Sequence, residues 1–114
     1  TRHRGAVLEQ VGARPGGLLR DAPVVALVDE WTASAAELLA GALQDQRRAL
    51  VVGVPTFGKG IIQSILDMPH GAGMALTTAR YYTPAGRAIQ AVGITPDVLL
   101  EGYRRHPLAL REQD

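Results

Sequence analysis

The strongest constraint in this 114-residue chain is an ordered trio: an apolar run, a helical pattern and a second apolar run. Pro23-Val-Val-Ala-Leu-Val28 is continuous, apolar and rich in β-branched residues, which predicts a strand buried on both faces of a parallel sheet. Asp29 and Glu30 end it. From Ala35 to Gln46, the residues Ala35, Leu38, Leu39, Ala42 and Leu43 recur at helical spacing, and Arg47-Arg48 stand at the C-terminal end, where cations complement the helix dipole. Ala49-Leu-Val-Val-Gly53 reads as the next buried strand. Strand, helix and strand within about thirty residues make a βαβ unit, which normally crosses over with a right hand between parallel strands. The expected fold class is α/β.

Either side of this unit the pattern is looser. Gly5-Ala-Val-Leu-Glu-Gln-Val11 predicts a short strand, and Arg14-Pro-Gly-Gly17 breaks the chain with turn residues. Ile61 to Met68 and Met74 to Tyr82 predict two strands of a hairpin joined by Pro69-His-Gly-Ala-Gly73. Thr83-Pro-Ala-Gly86 is a further turn, Arg87 to Val92 a short strand, and Leu108 to Asp114 a helical end.

Composition removes several function classes. Twelve basic against eleven acidic residues leave a net charge of +1, without the basic excess of a nucleic-acid-binding module. The absence of cysteine excludes disulfides, thiolate nucleophiles and Cys-based zinc sites. His3, His70 and His106 are scattered outside ligand-spacing motifs and read as surface or loop residues, so neither a metal nor a cofactor is indicated. No apolar run reaches the roughly 18 residues of a membrane span. A 46% apolar content is enough for one packed domain.

Eleven of the twelve basic residues are Arg, and Lys59 is the only lysine. Any lysine-dependent chemistry therefore has one address. Gly53-Val-Pro-Thr-Phe-Gly58-Lys59 fits the opening of a phosphate-binding loop, but that loop needs a Ser or Thr after the lysine and a following helix. Gly60 and the strand-like Ile61-Ile-Gln-Ser-Ile-Leu66 satisfy neither condition, which makes nucleotide binding the weaker alternative. Ser34 lies between a buried strand and a helix, where a nucleophile would be exposed beside the positive end of the helix dipole. Ser34-Ala-Ala-Glu37 is also a capping box, whose serine need only satisfy a backbone N–H. A lysine serves as base only when neutral, which requires desolvation with no carboxylate close by. No acidic residue occurs between Asp45 and Asp67, and Val54, Pro55, Phe57, Ile61 and Ile62 provide apolar neighbours.

Together these segments resemble the catalytic core of the C-terminal processing, or tail-specific, proteases, which use a serine–lysine dyad. Val24 to Asp45 resembles the family's nucleophile strand and helix, and Thr56-Phe-Gly-Lys59-Gly-Ile-Ile-Gln63 its lysine segment. Lys59 follows Ser34 by the family's interval of 25 residues. Leu76 to Arg87, Ile89-Gln90 and Gly93-Ile-Thr-Pro-Asp97 resemble the β segment that follows. The resemblance covers roughly residues 20 to 98.

It implies a Clp protease/crotonase-like βαβ core followed by β-hairpin segments, with Ser34 as nucleophile, Lys59 as general base and Gln63 orienting the lysine. It further implies the Ala35 backbone N–H as an oxyanion donor, Asp45 as a supporting acid, protein or peptide substrates and a bacterial extracytoplasmic location. Residues 1–114 are expected to form the C-terminal portion of the catalytic domain. The family's peptide-binding PDZ domain and the upstream glycine that supplies a second oxyanion donor have no counterpart here; Arg14-Pro-Gly-Gly17 reads as a linker. Trp31 stands where the family commonly has glycine, so a positive φ at that position would alter the turn into Ser34. If the Ser34 hydroxyl serves in catalysis, Thr32 is expected to cap the helix instead. The alternative from another class is a noncatalytic fragment or interaction module that retains the protease fold.

Overall fold

A computed structural model describes residues 2, 3, 6, 7, 12 and 15–100. In chain order the elements are β1 (Arg2–His3), β2 (Ala6–Val7), β3 (Val25–Val28), α1 (Ala35–Asp45), β4 (Leu50–Gly53), β5 (Ile61–Asp67), β6 (Gly73–Arg80) and β7 (Val98–Leu99). The βαβ unit is present: β3 and β4 run parallel, Val25 opposite Leu50 through Val28 opposite Gly53, with α1 as the crossover. β7 extends this sheet, pairing parallel to β4 in the order β3-β4-β7. Two residues are too few for a periodic signal, so β7 was not expected. It is held by Asp97, whose carboxylate accepts the Val51 N–H at 2.8 Å while its own N–H donates to the Val51 carbonyl at 2.8 Å.

Burial of the sheet is one-sided, contrary to the expectation for β3. Val28, Ala40, Val51, Ile89 and Ile94 form the core, whereas Val25 and Leu27 are 57% and 78% exposed. The physical reason is layering: side chains alternate across a strand, α1 covers one face of the sheet, and among the described residues nothing covers the other.

α1 ends at Asp45, so Arg47 and Arg48 lie just beyond its last turn. Arg47 has a φ of 52°, and the Arg48 guanidinium donates to the Leu19 carbonyl. The expected hairpin forms from β5 and β6, antiparallel from Ile61 opposite Arg80 to Asp67 opposite Gly73, with an irregularity between Ile62 and Gln63. A single 3-10 turn over Pro69–Gly71 closes it.

Residues 87–92 do not form the expected strand. One isolated bridge pairs Tyr82 with Ala88, after which the chain turns so that Val92 and Gly93 both donate to the Ile89 carbonyl. These residues pin another loop instead: Ala91 donates to the Gly58 carbonyl at 2.8 Å, and the Gln90 side chain accepts the Gly60 N–H at 2.8 Å. Of the strand expected at 5–11, only Ala6 and Val7 are described, paired antiparallel with His3 and Arg2. The predicted helical end at 108–114 lies outside the described residues.

Candidate active site

Between β3 and α1 the chain turns sharply. Asp29 organises the turn, its Oδ1 accepting the backbone N–H of Trp31 (3.1 Å) and Thr32 (2.9 Å) and the Thr32 hydroxyl (2.9 Å). Thr32 is thereby committed to Asp29 and does not cap α1. Trp31 is not among the residues with positive φ, so its bulk is accommodated without the left-handed conformation that would favour glycine.

The positive φ falls on Ser34 itself, at φ 57° and ψ −120°. This region is sparsely populated by non-glycine residues and costs about 1–3 kcal/mol, so it persists only where the surroundings impose it. The surroundings do impose it: the Ser34 N–H donates to Glu37 Oε2 at 2.8 Å, and the Ser34 carbonyl accepts the Leu38 N–H at 3.1 Å. Ser34 and Glu37 form the capping box at the head of α1, the Glu37 carboxylate accepting the Ser34 N–H. A strained serine between a strand and a helix is the conformation that presents a nucleophile outward. Ala35 opens α1, where a backbone N–H has no carbonyl to bond within the helix and points along its positive end.

In the lysine segment Val54, Thr56, Gly58 and Gly60 are buried, Pro55 and Phe57 are half-buried, and Gly58 has a φ of 98°. Lys59 is exposed. The apolar neighbours expected to desolvate it do not enclose it: Val54 is buried, whereas Lys59 is exposed. Among the described residues the Lys59 ammonium has no ion pair, the single salt bridge being Arg87–Asp45. Where a phosphate loop would require a helix N-terminus, the chain enters β5.

Glu37 joins the two segments. It is fully buried, and its Oε1 accepts the Thr56 hydroxyl at 2.5 Å and the Gly58 N–H at 2.7 Å. Oε2 accepts the Ser34 N–H and, at 2.9 Å, the Lys59 N–H. Four donors fill the four acceptor sites of a carboxylate, which offsets the cost of burying it. Thr56 extends the network, its hydroxyl accepting the Ile94 N–H at 2.7 Å and its N–H donating to the Ile94 carbonyl at 3.2 Å. Phe57 ties the same loop to the nucleophile turn by donating to the Thr32 carbonyl at 3.0 Å. From sequence, Glu37 was legible only as the last residue of a capping box. Its contacts with residues about twenty positions downstream left no local trace.

The other expected positions lie apart from this clamp. Gln63 is exposed on β5 at the ladder irregularity and, among the described residues, is not hydrogen-bonded to Lys59. Asp45 sits at the opposite end of α1 from Ser34, about 16 Å along the axis at 1.5 Å per residue. There its carboxylate accepts the Ala85 N–H at 2.8 Å and pairs with Arg87 at 2.5 Å, tying the 83–87 turn to the helix. The Thr83 hydroxyl, the Ala85 N–H and Arg87 together hold its carboxyl below the ordinary value, outweighing desolvation.

A cleft of about 780 Å³ opens beside these segments, lined by Leu38, Ile62, Arg80, the tyrosine pair 81–82 and the 83–86 turn.

The model of peptidase family S41 matches residues 3–100. The chain belongs to peptidase family S41. Among its S41 relatives is a carboxyl-terminal-processing protease of Picosynechococcus, 54% identical over 97 residues, covering 85% of this chain and 23% of that protein. A carboxy-terminal-processing protease of Bartonella bacilliformis is 47% identical over 107 residues, covering 90% of this chain and 25% of that protein. The chain thus spans about a quarter of these relatives' length. Among solved S41-like structures, the photosystem II D1 C-terminal processing protease superposes with a TM-score of 0.62 at 54% identity, covering 69% of this chain and 20% of that one. Mature CPAF superposes with a TM-score of 0.62 at 30% identity, covering 68% and 15%. The α/β fold is that of S41 proteases. Among the described residues no cluster of His, Cys, Asp or Glu could hold a metal ion, and no helix is long and apolar enough to cross a membrane.

Proposed function

We propose that this S41 chain carries the nucleophile and general base of a serine endopeptidase that cleaves protein substrates near their C-termini. The observation that carries the reading is the strained Ser34 backbone, held by the carboxylate that also holds the Lys59 backbone. A helix cap ordinarily takes an unstrained extended backbone, so the strained one at Ser34 supports a role in presenting its side chain.

In this reaction the Ser34 hydroxyl oxygen bonds to the scissile carbonyl carbon while the Lys59 amine, once the rest of the complete protein covers it, takes the hydroxyl proton. The tetrahedral oxyanion is stabilised by the Ala35 N–H at the positive end of α1. Collapse breaks the C–N bond, with Lys59 returning its proton to the leaving amine. Water then hydrolyses the acyl-enzyme by the same route. Gln63 orients Lys59 once its approach to the lysine is completed in the whole protein. Asp45 supports the site from a distance by holding the 83–87 turn.

The chain is the C-terminal portion of the catalytic domain, and upstream segments supply the second oxyanion donor and the substrate-capturing module. The 114-residue piece alone is accordingly expected not to cleave an unfolded protein, whereas the complete protein does. Bacterial and chloroplastic processing proteases among the relatives support a location outside the cytoplasm, which cell fractionation checks. In the complete protein, Ser34→Ala and Lys59→Ala should each abolish cleavage, and a fluorophosphonate should label the wild type at Ser34. An active Lys59→Ala variant rejects the base assignment. The exposure of Lys59 favours a second reading, a noncatalytic interaction module, which predicts no labelling at all.

A further inference from the structure

The side chains beside Ser34 are small: Thr32 and Ala33 precede it, and Ala35 and Ala36 follow. The Thr32 hydroxyl is bound to Asp29, which leaves a peptide seated at Ser34 little on these residues by which to be discriminated. Trp31 is the exception. It is the only tryptophan in the chain, it lies three residues before Ser34, and it is 54% exposed. An indole is the largest apolar surface a single residue can offer, and its area is the source of its contribution to recognition.

The backbone beneath this indole is fixed. The Trp31 N–H donates to Asp29 Oδ1 at 3.1 Å, and Thr32 is held on both sides, its N–H by the same oxygen at 2.9 Å and its carbonyl by the Phe57 N–H at 3.0 Å. The turn bearing Trp31 is thus tied to the lysine segment, as Ser34 is through Glu37. A side chain on a fixed backbone has less freedom to lose when a ligand packs on it. Three steps of 3.8 Å keep the Trp31 and Ser34 Cα atoms within about 11 Å of each other. An extended peptide advances about 3.3 Å per residue, so an indole at that range meets substrate side chains up to three positions from the attacked bond. The flanking acids do not change the character of the contact, since the Asp29 carboxylate is engaged in the turn and Glu30 is buried.

We propose that Trp31 is a specificity-determining residue that selects an apolar substrate side chain within three positions of the scissile bond. The proposal rests on Ser34 as the attacking residue for its placement along the substrate, whereas the preference itself is a property of binding and does not need turnover.

The test uses the complete protein and a series of labelled peptides that differ at one position, the second or third residue on either side of the bond cleaved, where Phe, Lys, Asp or Gly is placed in turn. Binding to the Ser34→Ala protein is read by fluorescence anisotropy, and kcat/KM is read on the protein with Ser34 intact. At one of these positions Phe should be favoured over Gly, Lys and Asp by about tenfold in both measurements. Trp31→Gly should bring the Phe-to-Gly ratio close to one, and Trp31→Phe should keep part of it. The ratio separates selection from a structural role, because a disturbed turn weakens every peptide alike and leaves the ratio where it was. No preference at any position, a preference for Lys or Asp, or a Phe-to-Gly ratio that survives Trp31→Gly overturns the proposal. Fluorophosphonate labelling of the intact protein reports on Ser34 separately, so failure of the nucleophile and failure of Trp31 are distinguished.

Discussion

The backbones of Ser34 and Lys59 share one oxygen atom: Glu37 Oε2 accepts the N–H of Ser34 at 2.8 Å and that of Lys59 at 2.9 Å. The two nitrogens cannot be farther apart than those bonds laid end to end. A single buried carboxylate thus sets the relative position of two segments separated by 25 residues. Its remaining oxygen is held by Thr56 and Gly58, so the loop cannot shift without stranding a buried charge.

Glu37→Ala leaves four donors without their acceptor and is expected to destabilise the fold by several kcal/mol, at about 1–3 kcal/mol for each group left buried and unsatisfied. Glu37→Gln keeps the volume but turns an amide NH2 toward two donors, costing about 1–3 kcal/mol. Native-state hydrogen exchange measures both, and the Gly58 and Lys59 amides should lose protection before those of β4. Unchanged protection at those two amides would show that the clamp does not hold the loop.

Ser34→Gly and Ser34→Ala both remove the nucleophile, yet they should differ in stability. Ala must keep the strained φ of 57°, whereas Gly adopts it at little steric cost. The Gly variant is expected to be the more stable by about 1–3 kcal/mol, read from thermal or urea unfolding. Equal stability would mean that the turn relaxes once the hydroxyl is gone.

Gly60 lies where a Cβ would come within 2.3 Å of the Gln90 backbone nitrogen. Neither side can yield cheaply, because Gly60 also donates to the Gln90 side chain and accepts from Tyr81. Gly60→Ala should therefore cost about 1–3 kcal/mol and displace the lysine loop. In the complete protein kcat should fall as well.

Asp45 gives the fold a defined acid sensitivity. Its carboxyl is held below its ordinary value of 3.8 in the folded state, so in acid the unfolded chain binds the proton more readily. The stability it contributes is present above the ordinary carboxylate value and is lost as the pH falls through the lowered one. Asp45→Asn should remove this part of the pH dependence, giving a flatter stability profile as the pH falls below the ordinary carboxylate value. Parallel profiles for the two proteins would remove Asp45 as its source.

Local pattern was sufficient where the signal was local. The apolar run ending at Val28, the helical spacing from Ala35 and the alternation on either side of Pro69 each produced the expected element, because strand and helix periodicities impose themselves within a few residues. The strand expected at 87–92 failed for the opposite reason. Ile89, Gln90 and Ala91 are engaged by the core and by Gly58 and Gly60, and a segment bonded on that side has no ladder left to offer.

By itself the sequence determined the βαβ unit, the hairpin, the single lysine and the strand-to-helix placement of Ser34, since each depends on residue type and short spacing. Only the tertiary structure decided that Ser34 bears the strain rather than Trp31, that Lys59 faces outward, and that Glu37 binds both segments. Those outcomes depend on which donors a buried carboxylate finds when distant segments meet, and hydrogen-bond geometry between such segments is not written in the order of residues along either one.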